Sequence, residues 1–310
     1  MIPERMQVPV FPQRVQVELT NYCNQRCRYC PRQGFSRPLG FMARPLFERL
    51  ATECAAFGAR MWLHFLGEPL LQRDVADFCR YAKSVGVPEV GLSTNAVSLH
   101  GRLAEALLRS GLDRLECSID AAAANTYALM RGRDHFERVR HNIAAFLDRK
   151  RGLGLSRPIV SLQVLLAPEN RAEIGAIIEQ WRPYLQEPDF IMTIEPSTFG
   201  GRVQVERVTP EQRPPCQWLF AALVVLQDGT VTTCGTDWDG QAPVGNANNQ
   251  SLADIWHGPE MQRRRAAHLA GRFESVALCG SCPDWPLADG HGYRNVTLAA
   301  SQPQPALATL

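Results

Sequence analysis

Seven of the ten cysteines fall into two spaced groups. Cys23, Cys27 and Cys30 follow a C-x3-C-x2-C spacing. A short loop of that kind can wrap three thiolates around three corners of an iron–sulfur cube, leaving one iron open to an external ligand. A zinc loop completed by a distant His, or a set of buried free thiols, is the other chemistry open to these residues, and structural zinc needs a fourth protein ligand. Cys216, Cys234, Cys279 and Cys282 form the second group, the last two in a C-x2-C turn. Four sulfurs close either a zinc site or a cubic iron–sulfur site, and spacing does not separate the metals. Cys54 and Cys79 sit in helical patterns among Ala, Phe and Leu and read as core. If Ser118 and Asp120 face inward, strand alternation turns Cys117 toward the covering helices.

The elements that must position these groups alternate in type from Val15 onward. Strands are expected at Val15–Leu19, Met61–Phe65, Pro88–Leu92, Arg114–Ile119, Ile159–Leu166 and Phe190–Glu195. Helices are expected near Arg44–Phe57, Arg73–Ser84, Arg102–Arg109, Phe136–Lys150 and Ala172–Trp181. This rhythm predicts a parallel sheet with covering helices, an α/β partial (β/α)6 barrel whose active face is the C-terminal end of the strands. That end collects Asn21–Cys30, Gly67–Pro69, Ser93–Asn95 and Ser118–Asp120. From about Gly200 the texture changes to Gly/Pro-rich loops, with a hairpin at Leu223–Leu226 and Thr230–Cys234 and a helix or helix pair over Leu252–His268. The expected division is an N-terminal arm at 1–14, the barrel at 15–209, a small C-terminal domain at 210–298 and a flexible tail at 299–310. The small domain carries too few apolar residues for an independent core, so a metal centre would supply cohesion.

Composition narrows the function. Lys and Arg total 33 against 31 Asp and Glu in 310 residues, which gives nucleic-acid binding little support. No apolar run is long enough for a membrane span and the start does not read as a signal, so a soluble, cytoplasmic protein is expected. Clustered cysteines in such a chain point to metal or redox chemistry rather than a disulfide scaffold.

The cysteine loop after the first strand, together with the strand-end motifs, resembles the radical S-adenosylmethionine superfamily across residues 15–200. The resemblance implies a [4Fe–4S] cluster on Cys23, Cys27 and Cys30 whose open iron chelates S-adenosylmethionine. An electron from the cluster then cleaves it to methionine and a 5′-deoxyadenosyl radical that abstracts a substrate hydrogen. His64-Phe65-Leu66-Gly67-Glu68-Pro69 looks like the family's Gly-Glu motif, with Leu66 where a second glycine is common. The resemblance makes Gly67, Glu68 and Pro69 contacts of the methionine amino group. Ser93, Asn95, Ser118 and Gln163 are then cofactor-lining residues, Tyr29 packs near adenine, and Arg131 approaches the cofactor carboxylate. Pro215-Cys216, Asp228-Gly229, Cys234, Gly245-Asn246, Leu252–Trp256 and Cys279–Cys282 resemble the SPASM and twitch group. That likeness implies a C-terminal auxiliary-cluster domain. The full SPASM pattern carries more cysteines, so one auxiliary cluster is expected and two [4Fe–4S] clusters in all.

Only 22 residues precede Cys23, too few for a peptide-recognition domain, so a small substrate is expected. Small-molecule members of the resembled group oxidise or epimerise aminocyclitols and sugars. The expected reaction is dehydrogenation of a secondary alcohol on an aminocyclitol, aminoglycoside or sugar, with the auxiliary cluster taking an electron and a flavodoxin or ferredoxin supplying one. Glu195, His64 and Asp120 are the candidate bases, Glu195 first. Sugar epimerisation, peptide modification and a noncatalytic metal-binding role are the alternatives.

Overall fold

The computed structural model describes residues 6–206, 211–289 and 293–296. The boundary expected near Pro210 and the tail expected at 299–310 lie outside them. Six strands run in chain order along one parallel sheet, with helices between them: β1 (Arg14–Val17), α1 (Arg44–Ala56), β2 (Arg60–Trp62), α2 (Val75–Ser84), β3 (Val90–Thr94), α3 (Gly101–Leu108), β4 (Arg114–Ser118), α4 (Ala124–Arg131), α5 (Phe136–Gly152), β5 (Ile159–Leu165), α6 (Ile174–Trp181) and β6 (Phe190–Ile194). Among the described residues β1 and β6 do not pair, so the sheet is an open, partial barrel.

Alternation along each strand divides two environments. Val15 and Val17, Leu115 and Cys117, and Val160, Leu162 and Val164 are fully buried on the helix side. Their neighbours Gln16, Glu116, Ser118 and Gln163 line the barrel interior. The helix side carries the apolar core, where Phe47 of α1 stacks on Phe78 of α2 at 4.3 Å. Each such side chain contributes about 1.5–3 kcal/mol when fully buried. The interior sets charged and amide side chains beside aromatic and aliphatic ones, as a ligand cavity does.

The chain after residue 210 extends the same sheet. α7 (Trp218–Ala221) leads into β7 (Ala222–Val225), which pairs in parallel with β1. An antiparallel ladder of β8 (Thr230–Thr232) and β9 (Gly245–Asn246) follows. β10 (Tyr293–Asn295) adds antiparallel to β6, so the order is β10-β6-β5-β4-β3-β2-β1-β7-β8-β9. The scarcity of apolar residues in this segment is resolved by sharing. Leu219, Phe220, Leu223 and Val225 belong to the barrel's core cluster. Leu252–His268 is a helix pair, α8 (Leu252–Trp256) and α9 (Pro259–Leu269). Trp256 of α8 donates to the Pro9 carbonyl at 2.9 Å, tying the N-terminal arm to this end.

Several bounds differ from the sequence expectation, β3 lying at Val90–Thr94 rather than Pro88–Leu92, and two differences bear on the site. β2 stops at Trp62 because the chain must leave the ladder to deliver Gly67 against the Thr20 carbonyl and the Glu68 N–H to the Tyr22 carbonyl at 2.7 Å. α4 was not anticipated. Its Asn and Thr interrupt the apolar period, yet Gly132 at φ 71° closes it as a left-handed C-cap.

Candidate active site

The loop after β1 is held on both sides. Its base is closed by Thr20 Oγ1 donating to the Gly40 carbonyl at 2.7 Å and Asn21 Nδ2 donating to the Pro38 carbonyl at 2.9 Å. Its cysteine turn leans on the end of α4, where Arg26 N donates to the Arg131 carbonyl at 3.1 Å and Arg28 N to the Met130 carbonyl at 2.9 Å. Gly132 is required there, since a Cβ would collide with the Arg26 carbonyl.

Cys23, Cys27 and Cys30 line one cavity of about 480 Å3, and Cys216, Cys234, Cys279 and Cys282 line the same cavity. Burial pushes the Cys23 thiol up to about 11 and Cys30 up to about 12, so holding them as thiolates requires a compensating cation. Polar groups approach the sulfurs, as they do where a protein tunes a cluster: Asn95 Nδ2 stands 3.8 Å from Cys23 Sγ, and Arg131 Nη1 3.7 Å from Cys27 Sγ. In the second group, Cys216 N donates to His268 Nδ1 at 3.2 Å, and Arg213 Nη1 to the Cys279 carbonyl at 2.7 Å. Among the described residues no three Cys, His, Asp or Glu side chains close on a single-ion site. Instead the thiols stand around open space, a donor set of soft sulfur suited to iron–sulfur clusters.

The strand-end residues meet on the wall of this cavity. Glu68, 2% exposed, accepts from Leu70 N at 3.0 Å, Thr94 Oγ1 at 2.6 Å and Asn95 N at 2.8 Å. Burial raises its pKa, and these hydrogen bonds act in the opposite direction. Oε1 takes two of these bonds and Oε2 one, which leaves an acceptor position on Oε2. Asp120 sits at φ 54° and forms a 2.7 Å ion pair with Arg131, while Leu165 N donates to it at 2.7 Å. Arg131 lines the cavity, and its Nε–H is buried with no acceptor among the described residues. That orphaned donor fits the carboxylate of an amino-acid-bearing cofactor.

Gly67, Ser93, Asn95, Ser118 and Gln163 join this wall, and Tyr29 lines it with its hydroxyl donating to Glu169 Oε2 at 2.8 Å. Pro69 is buried behind the wall and opens a short turn after Glu68. Of the three expected bases, Asp120 is committed to Arg131 and Glu195 stands exposed at the rim. His64 lines the cavity, but burial depresses its pKa to about 3, with Arg14 acting in the same direction, so its imidazole is neutral. Cys54, Cys79 and Cys117 are fully buried, and none lines the cavity.

Below the strand ends the floor carries Arg14, Gln16, Trp62, Arg114 and Glu116. Sequence reasoning passed over them because they lie within the strands, outside the loops that follow them. The signal for Glu116 was present: it stands two residues before Ser118 and therefore faces the same way. Burial pushes its carboxyl up to about 7, with Arg14 and then Arg114 opposing.

A family model described as the radical SAM superfamily matches residues 17–180, more than half of the chain. The chain belongs to the radical SAM superfamily. A second model, the SPASM iron–sulfur cluster-binding domain, matches residues 216–283. The protein is thus a radical S-adenosylmethionine enzyme with a SPASM domain, and its cofactors are S-adenosylmethionine, a [4Fe–4S] cluster and an auxiliary iron–sulfur cluster. A probable GTP 3′,8-cyclase of Methanothermobacter thermautotrophicus is 29% identical over 178 residues, covering 57% of this chain and 56% of that protein. One of Saccharolobus solfataricus is 30% identical over 165 residues, covering 53% and 51%. The chain spans about half the length of these curated relatives. Among solved structures, BtrN in complex with AdoMet and 2-DOIA superposes with a TM-score of 0.60 at 21% identity, covering 89% of this chain and 94% of that one. Streptococcus suis SuiB bound to the precursor peptide SuiA gives a TM-score of 0.69 at 12% identity, covering 90% and 73%. At these identities the likeness is one of fold. No helix among the described residues is long and apolar enough to cross a membrane.

Proposed function

We propose that the enzyme dehydrogenates a secondary alcohol of a small polyhydroxylated molecule, an aminocyclitol or sugar. The observation that carries this reading is the single cavity, into which both thiol groups and a polar floor open. Cys23, Cys27 and Cys30 hold the cluster that binds S-adenosylmethionine, and Cys216, Cys234, Cys279 and Cys282 hold the auxiliary cluster. When bound, the cofactors supply a hydrogen-abstracting 5′-deoxyadenosyl radical and a one-electron acceptor.

The chain's own residues hold and orient. Glu68 accepts from the cofactor's ammonium on the face its three protein donors leave open. Arg131, braced by Asp120, offers its spare Nε–H to the cofactor carboxylate. Gln16, His64 and Gln163 present neutral hydrogen-bonding groups to substrate hydroxyls, as polyol recognition requires. Epimerisation has less support: a thiol hydrogen donor would need to reach the cavity, and Cys54, Cys79 and Cys117 are buried away from it.

Product mass tests the reading. Anaerobically reconstituted enzyme, with S-adenosylmethionine and reductant, is incubated with 2-deoxystreptamine and scyllo-inositol. A product lighter by two hydrogens supports dehydrogenation. Unchanged mass with solvent deuterium incorporated replaces it with epimerisation.

A further inference from the structure

We propose that Glu116 is the catalytic base of this cavity, accepting the hydroxyl proton of the alcohol being oxidised. The inference rests on the dehydrogenase reading and assigns a residue to its proton step. Glu116 lies in the middle of β4, paired in register with Ser93 of β3 and Ser161 of β5. At about 3.3 Å per residue it stands roughly 6–7 Å below Ser118, deeper than the strand-end residues. It lines the cavity from its floor.

Every other carboxylate on that wall among the described residues is engaged or open to solvent. Glu68 holds Leu70 N, Thr94 Oγ1 and Asn95 N, and Asp120 holds Arg131 and Leu165 N. Asp237 accepts from Gln241 N and Ala242 N, and Asp284 from Ser197 Oγ and Thr198 N. Glu195 is exposed at the rim. Glu116 accepts a single long side-chain contact among the described residues, from Gln163 Nε2 at 3.5 Å. Its carboxylate can therefore take a proton without dismantling a network.

The charged groups that act on it are Arg14 from β1 and Arg114 from its own strand, and His64, after β2, lines the same cavity. Arg114 is itself paired with Glu89 at 3.2 Å, and Arg14 lies over the Trp218 ring at 4.8 Å. Ser93, Ser161 and Gln163 complete the surroundings from β3 and β5 without charge. His64 is neutral, so the two arginines oppose the burial of the carboxylate and leave it near 7, matched to a base working at neutral pH.

The step balances. The substrate carbon gives up a hydrogen atom, which becomes the third hydrogen of the 5′-methyl group of 5′-deoxyadenosine. The O–H bond then breaks heterolytically, its proton forming a new bond to Glu116 Oε. One electron leaves for an iron–sulfur centre, the C=O double bond is complete, and the alcohol has lost two hydrogens. Glu116 returns its proton to solvent after product release.

Wild type, E116Q and E116D are prepared as anaerobic holoenzymes, with iron content and S-adenosylmethionine binding checked first. Ring-deuterated 2-deoxystreptamine and scyllo-inositol serve as probes between pH 5.5 and 8.5. The expected result for E116Q is retained deuterium transfer into 5′-deoxyadenosine, ketone formation slower by about 100-fold or more, and loss of the rise in rate near pH 7. E116D retains the rise. Equal ketone rates and pH profiles in wild type and E116Q overturn the assignment. No loss of two hydrogens by wild type overturns the dehydrogenase reading instead. Infrared titration then decides Glu116 separately: a carboxyl band titrating near neutrality in wild type and absent from E116Q supports the poised base, and no such band overturns it.

Discussion

Replacing Glu68 by Gln isolates one charge in the cofactor wall while keeping its shape. A carboxylate offers about four acceptor positions. In the protein Leu70 N, Thr94 Oγ1 and Asn95 N occupy three of them, at 3.0, 2.6 and 2.8 Å. The remaining position faces the ammonium of the cofactor in the proposed site. A Gln amide cannot satisfy both backbone N–H groups, because one of its two ends is itself a donor. That mismatch costs about 1–3 kcal/mol of stability. Loss of a charged acceptor removes a further 1.5–3 kcal/mol or so from cofactor binding, equivalent to a Kd weakened about 10- to 150-fold. Equilibrium binding of S-adenosylmethionine to anaerobic E68Q, with wild-type iron content, measures this directly. A Kd within roughly threefold of wild type, less than about 0.7 kcal/mol, would refute the role given to the Glu68 charge.

Gly132→Ala places a side chain in the left-handed region at φ 71° and against the Arg26 carbonyl. Strain alone is about 1–2 kcal/mol, and we expect lower denaturant resistance together with poorer iron retention. His64 is held neutral, with a folded pKa of about 3 against an ordinary value of 6.5. Its contribution is complete above 6.5 and is lost as pH falls toward 3, because the unfolded chain binds the extra proton. His64→Leu should therefore flatten the acid limb of the stability profile, by about 1 kcal/mol at pH 4 once screening by cavity water is allowed for. Unchanged acid sensitivity counts against a neutral imidazole. Arg37→Ala leaves Glu18, whose side chain is fully buried, without its partner at 2.7 Å. Chemical denaturation should show a loss of about 3–5 kcal/mol.

The cluster loops and the barrel rhythm were legible because their information is local. Cysteine spacing sets which sulfurs one turn can present, and the strand runs carry a period of two. What the sequence concealed was non-local. Nothing near Ala222–Val225 announces pairing with β1, which is decided by completing the sheet and sharing the core. The Arg131–Asp120 pair joins the end of α4 to the end of β4 and leaves Asp120 braced rather than reactive. Glu116 was missed for another reason: the strand-end rule directs attention to loops, whereas this cavity extends down to mid-strand positions.

The central claim is that both thiol groups hold iron–sulfur clusters around one cavity. It is tested most directly by counting iron, sulfide and zinc in anaerobically reconstituted protein, in wild type and in a variant with Cys23, Cys27 and Cys30 all changed to Ala. The account predicts about eight irons and eight sulfides in wild type, falling to about four of each in the variant, with little zinc in either. About four irons and one zinc in wild type, with no iron left in the variant, would contradict the auxiliary cluster and the electron transfer that depends on it.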